Sequence, residues 1–498
     1  MLRRIFLALL LPAVALLGCT NGGDAPPAPS ASETPAASAA APDANAVLND
    51  VVAALGAGNL TSITYSGTAW RIRNSFMQTP NASPPWPSRD EITNYRRTID
   101  LSAPASLATG ETFAQNLFLE PPVAGRYTQN IPADRTAWSD QLEIWLTPWG
   151  FVQGAKNNGA TASRRTVDGT QYTVLSWQSP ATQTAPSGLR YTVNGYIGAD
   201  NLPARVETWV EHPFMGDFHV VQVYSGYRDF GGVKVPATIE QQRGGGGIFG
   251  VNVTAATANP ADLTALLTPP PPPAGPGGPP GGGGPPTPPP VTAEQLAPGV
   301  HLITGGYVAL VAEFSDHVLV FEAGQSEARG QRILDEVKQL VPGKPIRYIV
   351  NSHPHSDHTA GLVPFIREGA TLVTHVNNVD FLRMALSTPR TLLGEPTLNP
   401  QLRGVDGVTV FEDATMRVEL HSVPNGHTDG MLVAVVPSAR TLFQADFTLP
   451  QPGATANPFV VTLANYVDAN NVQFERYLAV HAAPMPQTRA QLLATIGK

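Results

Sequence analysis

The segment NSHPHSDHTAG, Asn351–Gly361, places three histidines and an aspartate in six consecutive positions, although the chain of 498 residues has only 11 histidines in all. The run that leads into it, IRYIVNS, reads as a short buried strand, so the histidine stretch leaves a strand end. In an extended chain alternate side chains share a side. His353 and His355 therefore project together and suit two ligands of one cation. Asp357 and His358 follow at the next turn, within reach of a second ion. Without a cation such a cluster repels itself when protonated and is costly to desolvate. Metal binding is the expectation.

Working outward, the strand-like runs VALVAEF and HVLVFEAG precede the loop. Between them and IRYIVNS, Ser326 to Leu340 has a helical period with Ile333, Leu334, Val337 and Leu340 on one face. Beyond the loop come a helix near Leu362–Arg367, the strand TLVTH and a helix through Phe381–Leu386. The strands VTVF, RVELHSV, MLVAVV, TLFQA and YLAVH follow, then a C-terminal helix. Strand runs separated by helices predict a layered α/β region over 292–498.

H-x-H-x-D-H after a strand resembles the signature of the metallo-β-lactamase-fold superfamily, and the resemblance covers essentially all of 292–498. It implies an αββα sandwich with metal ions at one edge of two sheets. It also implies later ligands. NGHTDG supplies His427 to complete a first site with His353 and His355. FQADF supplies Asp446 as the carboxylate bridging both ions, and LAVHAAPMP supplies His481 to join Asp357 and His358. The implied cofactors are two divalent metal ions, with zinc expected. The implied activity is a binuclear metal-dependent hydrolase that uses a metal-bridging hydroxide on an ester, lactone or phosphodiester-type small molecule, with Asp357 also shuttling a proton. Two departures stand out: Glu322 occupies a position where the family commonly has Asp, and Ala482 replaces a common Gly. The extra methylene of Glu322 is expected to disturb the orientation of a ligand. His375 and His421 match no ligand position, while His301 and His317 read as surface or strand-end residues. One alternative is a mononuclear iron persulfide dioxygenase of the same fold. Another is a non-catalytic lipid- or envelope-binding lipoprotein.

The rest of the chain has a different texture. Arg3 and Arg4, the apolar run Ile5–Leu17 and LLGC describe a secretory signal that resembles the bacterial lipoprotein type, cleaved after 1–18 and lipidated on Cys19, the single cysteine. That resemblance implies a membrane anchor in the cell envelope, and Thr20 implies the periplasmic face of the outer membrane. Residues 19–46 read as a disordered tether. PPPPPAGPGGPPGGGGPPTPPP, Pro269–Pro290, marks a linker over 263–291. Between these spacers, 47–262 opens with a helical pattern (Val47, Leu48, Val51, Val52, Leu55) and continues as short alternating runs, which predicts a mostly antiparallel β-rich domain. All seven tryptophans fall there and read mainly as core. One stretch, GYIGADNLPARVETWVEHPFMGDFHVVQVYSGYRDFGGVKVP, resembles half-barrel domains of periplasmic lipoprotein-handling proteins, which implies acyl-chain binding. GGGGIFG formally fits a nucleotide loop, but the strand-like VNVTAAT after it predicts a hairpin. His212 and His219 read as structural. A net charge of −8 excludes nucleic acid as the expected partner. Oligomeric state is not legible from these residues.

Overall fold

The computed structural model describes residues 34–35, 41–72, 77, 82–84, 86, 89–114, 123–271, 290–451, 453–481 and 487–498. The signal segment 1–18, Cys19, most of the 19–46 tether, most of the Pro/Gly-rich linker and Ala482 lie outside the described residues.

The helix Ala44–Leu55 starts at Asp43, whose carboxylate accepts the backbone N–H groups of Asn45 and Ala46, and stops at Gly56. It buries Leu48, Val51 and Leu55, the face expected from sequence. Among the described residues a 12-stranded sheet includes the short strand Thr34–Pro35 before this helix and eleven strands after it, and every pairing in it is antiparallel. Its order is set by a long-range pairing: the last strand, Gly246–Ala258, lies against the early strand Ser62–Ile72. GGGGIFG belongs to the hairpin between Thr238–Arg243 and Gly246–Ala258, as expected. Trp86, Trp138, Trp145, Trp149 and Trp177 are buried, while Trp70 and Trp209 are partly so, which makes them chiefly core. The helix Pro148–Asn158, capped by Thr147, packs on this sheet. A Cβ at Gly154 would fall 2.2 Å from the Trp177 ring, so glycine sets that approach.

From Thr292 onward the chain builds two further sheets, of seven and five strands. Alternation within single strands shows why they stack. In Ala309–Glu313, Leu310 and Ala312 enter the core between the sheets, whereas Ala309 and Val311 face the helices Glu327–Leu340, Leu362–Arg367 and Val379–Ser387. In Leu432–Val436, Leu432, Ala434 and Val436 share the inter-sheet core, while Val433 and Val435 face Pro458–Ala469 and Arg489–Ala494. Helices thus cover both outer faces of a double sheet, the αββα sandwich. The helix Pro458–Ala469 has no counterpart in the sequence reading. Its Val460, Val461, Thr462 and Val467 are strand-like residues, although Asn457 and Pro458 supply a capping residue and a first-turn proline.

The two regions also touch. The Asp217 carboxylate accepts the Thr391 hydroxyl and the N–H groups of Thr391 and Leu392, the latter two at 3.1 and 2.9 Å. Arg390, buried, donates Nη2 to the Pro213 carbonyl at 2.7 Å, and Phe214 meets Phe381. A hairpin turn of the N-terminal sheet is therefore docked on the segment after Val379–Ser387.

Candidate metal centre

The histidine loop is pinned at both ends. Asn351 donates its backbone N–H to Val373, and Leu432, from the other sheet, donates to the Ser352 carbonyl at 2.8 Å. His355 is extended and precedes the single turn Ser356–Thr359, which turns Asp357 and His358 inward. The Asn351 side chain closes the loop by donating to the His358 carbonyl. Gly361 ends it where a Cβ would sit 2.0 Å from the Ala323 carbonyl oxygen, so only glycine passes.

Three later residues arrive from strand ends and a turn of the second sheet. His427 lies in a turn where Asn425 accepts its backbone N–H. Asp446 follows Thr441–Gln444, in a turn held by the Gln444 amide on Phe447. His481 follows Arg476–Ala479, and Val480 donates to the Gln444 carbonyl. All seven residues singled out from sequence meet at one edge of the sandwich. His353, His355, His427 and Asp446 form one group, and Asp357, His358 and His481 form a second, with potential donor atoms in each group within 4.8 Å of one another.

Asp446 joins the groups. Its Oδ2 lies 2.9 Å from His353 Nε2 and 2.7 Å from His427 Nε2. Its Oδ1 lies 2.6 Å from His481 Nε2 and 3.3 Å from His358 Nε2. Across the groups' interiors, His353 and His427 bring their Nε2 atoms to 3.3 Å, and His358 and His481 to 3.0 Å. Two imidazole N–H groups cannot point at each other at that range. Asp446 Oδ1, although buried and close to His481 Nε2, makes no hydrogen bond of acceptable geometry among the described residues. Convergent ring nitrogens with an unsatisfied carboxylate oxygen fit divalent-cation binding.

Electrostatics sharpen the picture. Burial, helped by the neighbouring His358, drives His353 well below the ordinary imidazole range. Burial works the same way on His358, but the Glu322 and Asp446 carboxylates override it and hold its pKa well above that range. Burial would raise Asp446, yet His353 and His358 keep it far below the usual carboxylate range.

Supporting contacts fix the rings. Glu322 Oε2 lies 2.8 Å from His358 Nδ1, while Oε1 accepts the Ser352 N–H at 3.0 Å. The longer side chain reaches His358, and Glu322 itself sits in a left-handed conformation, φ 76°, which is costly for a non-glycine residue. Ser352 Oγ lies 2.9 Å from His353 Nδ1. Sequence reasoning missed Tyr307, whose hydroxyl donates to Asp357 Oδ2 at 3.0 Å and whose ring stands 4.3 Å from that of His481. Buried Arg329 braces the turn carrying Tyr307 by donating to the Thr304 and Tyr307 carbonyls. An aromatic directly after the pair Gly305–Gly306 was the available signal.

The remaining histidines take structural posts. His375 accepts the Asn377 N–H and lies 3.4 Å from Asp406, and His421 sits between Glu419 and Tyr466. His317 is at a strand end as expected, but it is buried, stacked on Phe314. His301 lies within the strand Val300–Thr304. His212 accepts the N–H groups of Phe214 and Met215, and His219 pairs with Glu207.

An αββα sandwich with a histidine–aspartate centre at its sheet edge defines the metallo-β-lactamase fold class. Residues 304–489 match the model of the metallo-beta-lactamase superfamily, and this part of the chain is a domain of that superfamily. Among solved structures, the chain is similar to a metallo-beta-lactamase from Pontibacter korlensis, at 16% identity and a TM-score of 0.34 over 41% of this chain and 97% of that one. It is similar to the mono-zinc form of the metallo-beta-lactamase FIM-1 from Pseudomonas aeruginosa, at 17% identity and a TM-score of 0.32 over 41% and 93%. A metallo-beta-lactamase from Hirschia baltica aligns at 17% identity and a TM-score of 0.32 over 41% and 96%. No curated protein matches the chain.

Proposed function

We propose that the C-terminal region is a binuclear metal-dependent hydrolase acting on an ester, lactone or phosphodiester-type small molecule. In this reading His353, His355, His427 and Asp446 hold one ion, and Asp357, His358, His481 and Asp446 hold the other. Zinc suits a donor set of imidazoles and carboxylates without thiolate. The observation that carries the reading is the division of Asp446, with one oxygen turned to each histidine group.

Two such ions supply Lewis acidity and lower the pKa of water to roughly 7. The chain's own residues then have defined tasks. Glu322 and Ser352 orient His358 and His353 through their Nδ1 atoms, so that the other ring nitrogens would be free to help hold an ion. Asp357 accepts a hydrogen bond from the Tyr307 hydroxyl at Oδ2 and can hold or release a proton beside the substrate. Phe459, packed 5.1 Å from the His427 ring, helps keep water from that side. A complete second group favours hydrolysis over the single-iron persulfide dioxygenase.

We also propose that a lipid on Cys19 anchors the chain at the periplasmic face of the outer membrane, on the strength of LLGC after the apolar run. Loss of membrane association in Cys19→Ala would support the anchor, and unchanged partitioning would refute it. For the activity, the test is elemental analysis of the full chain purified without chelators, followed by a panel of lactones, esters and phosphodiesters. Two zinc ions per chain with metal-dependent turnover are expected. One iron with oxygen consumption on a persulfide would overturn the hydrolase.

A further inference from the structure

A cavity of about 500 Å³ lies in the N-terminal sheet, remote in sequence from the metal centre. Strands Thr238–Arg243 and Val123–Ile131 both line it, although four other strands separate them in the sheet order. The sheet is therefore curled, and the Tyr127 and Phe249 rings stack across the curl at 6.1 Å. Those rings and Ile248 give the cavity an apolar wall. None of the seven tryptophans lines it.

Its polar wall carries three arginines and one carboxylate, Glu143. Arg97 is buried and fully engaged: Nε donates to the Tyr95 hydroxyl at 2.9 Å, Nη1 to Ser106 at 3.0 Å and Nη2 to Gln129, with Glu143 3.9 Å away. Arg71 is paired with Asp90 at 3.4 Å. Arg243 has no carboxylate in ion-pair range among the described residues, and its Nε is buried without a hydrogen-bond partner. Glu143 is already taken by the Gln241 and Gln222 amides as well as Arg97. Pairing the charges leaves one guanidinium over, beside an apolar surface. A buried donor of that kind is stabilised by an acceptor that the described residues do not supply. The volume falls within the roughly 300–1,000 Å³ of small-molecule sites, and a few convergent polar groups on an apolar lining are their usual chemistry.

We propose that this cavity binds a monoanionic amphiphile, a carboxylate with an apolar body, with the carboxylate on Arg243 and the body against Tyr127, Ile248 and Phe249. The site is independent of the metal centre and does not rest on the hydrolase reading. The single uncompensated charge selects a monoanion over a cation or a dianion.

The test is calorimetric titration of the full chain with sodium decanoate, decyl phosphate and decyltrimethylammonium, repeated after treatment with a metal chelator. Decanoate bound at the metal centre instead would be lost on chelation and would keep its affinity in Arg243→Gln. One saturable decanoate site is expected, with no site for the ammonium and weaker binding of the phosphate dianion. Arg243→Gln should weaken decanoate binding by about tenfold or more, the scale of a charge-assisted hydrogen bond. Should that variant fail to fold, Ile248→Glu, which places a like charge on the apolar wall, should also abolish binding. Absence of saturable binding, equal binding of the ammonium, tighter binding of the phosphate or full affinity in both folded variants would each overturn the assignment.

Discussion

Glu322 and His358 are both fully buried, with Oε2 of one 2.8 Å from Nδ1 of the other. A carboxylate there fixes which ring nitrogen carries the proton and leaves Nε2 facing Asp446 and His481. Replacing it by Gln keeps the shape and removes the charge. Glu322→Gln is expected to weaken divalent-metal binding by roughly tenfold to a hundredfold. Competition against a chromophoric chelator measures this directly, and an unchanged affinity would remove Glu322 from any role at the centre.

Asp446 is the one carboxylate shared by both groups. On the proposed two-ion hydrolase reading, Asp446→Asn should lower the bound ions from two to one or none and abolish turnover, while His355→Ala should disturb the first group alone. Tryptophan fluorescence should hardly change in either variant, because the region after the linker contains no tryptophan. Retention of two ions and of activity by Asp446→Asn would be incompatible with a bridging role.

A pH response is expected far from the metal centre. Burial, with Arg390 and Arg243 nearby, pushes His212 from its ordinary 6.5 down to about 4. Its Nδ1 accepts the Phe214 and Met215 N–H groups at 3.2 and 3.1 Å, so protonation would cost those bonds. The folded value lies below the unfolded one. The contribution is therefore complete above about pH 6.5 and is lost as pH falls toward 4, by on the order of 2 to 3 kcal/mol. Comparing denaturant unfolding of wild type and His212→Asn at pH 7 and 4.5 isolates the effect, since Asn can accept the same bonds without titrating. Parallel pH dependence in the two proteins would count against it.

Asp217 is the polar lock between the two regions. Asp217→Ala leaves the Thr391 and Leu392 N–H groups without their acceptor, at a cost of about 2 kcal/mol. Calorimetry should show a lower first transition and a wider separation between the unfolding of the N-terminal and C-terminal regions. A single unshifted transition would mean that the contact carries no stability.

His353, His355, Asp357 and His358 were legible because they cluster where a strand-like run ends, and strand alternation needs only neighbours in sequence to be read; His427, Asp446 and His481 were placed by the resemblance of their short motifs to the metallo-β-lactamase-fold superfamily. The helix Pro458–Ala469 was not legible, because β-branched residues suit strands locally and only packing on Val433, Val435 and Leu442 makes the helix the better burial. Tyr307 was hidden for a related reason. Its partner Asp357 is distant in the chain, and the brace that aims it, Arg329, comes from a helix whose pattern shows only its apolar face.

The sequence by itself determined the layered α/β pattern and the pairing of His353 with His355, which follow from period and spacing, while the places of His427, Asp446 and His481 came from the resemblance to the metallo-β-lactamase-fold superfamily. Only the tertiary structure decided how Asp446 divides its oxygens, that Glu322 reaches His358, that Asp217 locks the regions together and that Arg243 is left without a counter-charge beside an apolar wall. Each of these depends on which strands and turns meet across the fold, and that is set by burial of many side chains at once rather than by any local run of residues.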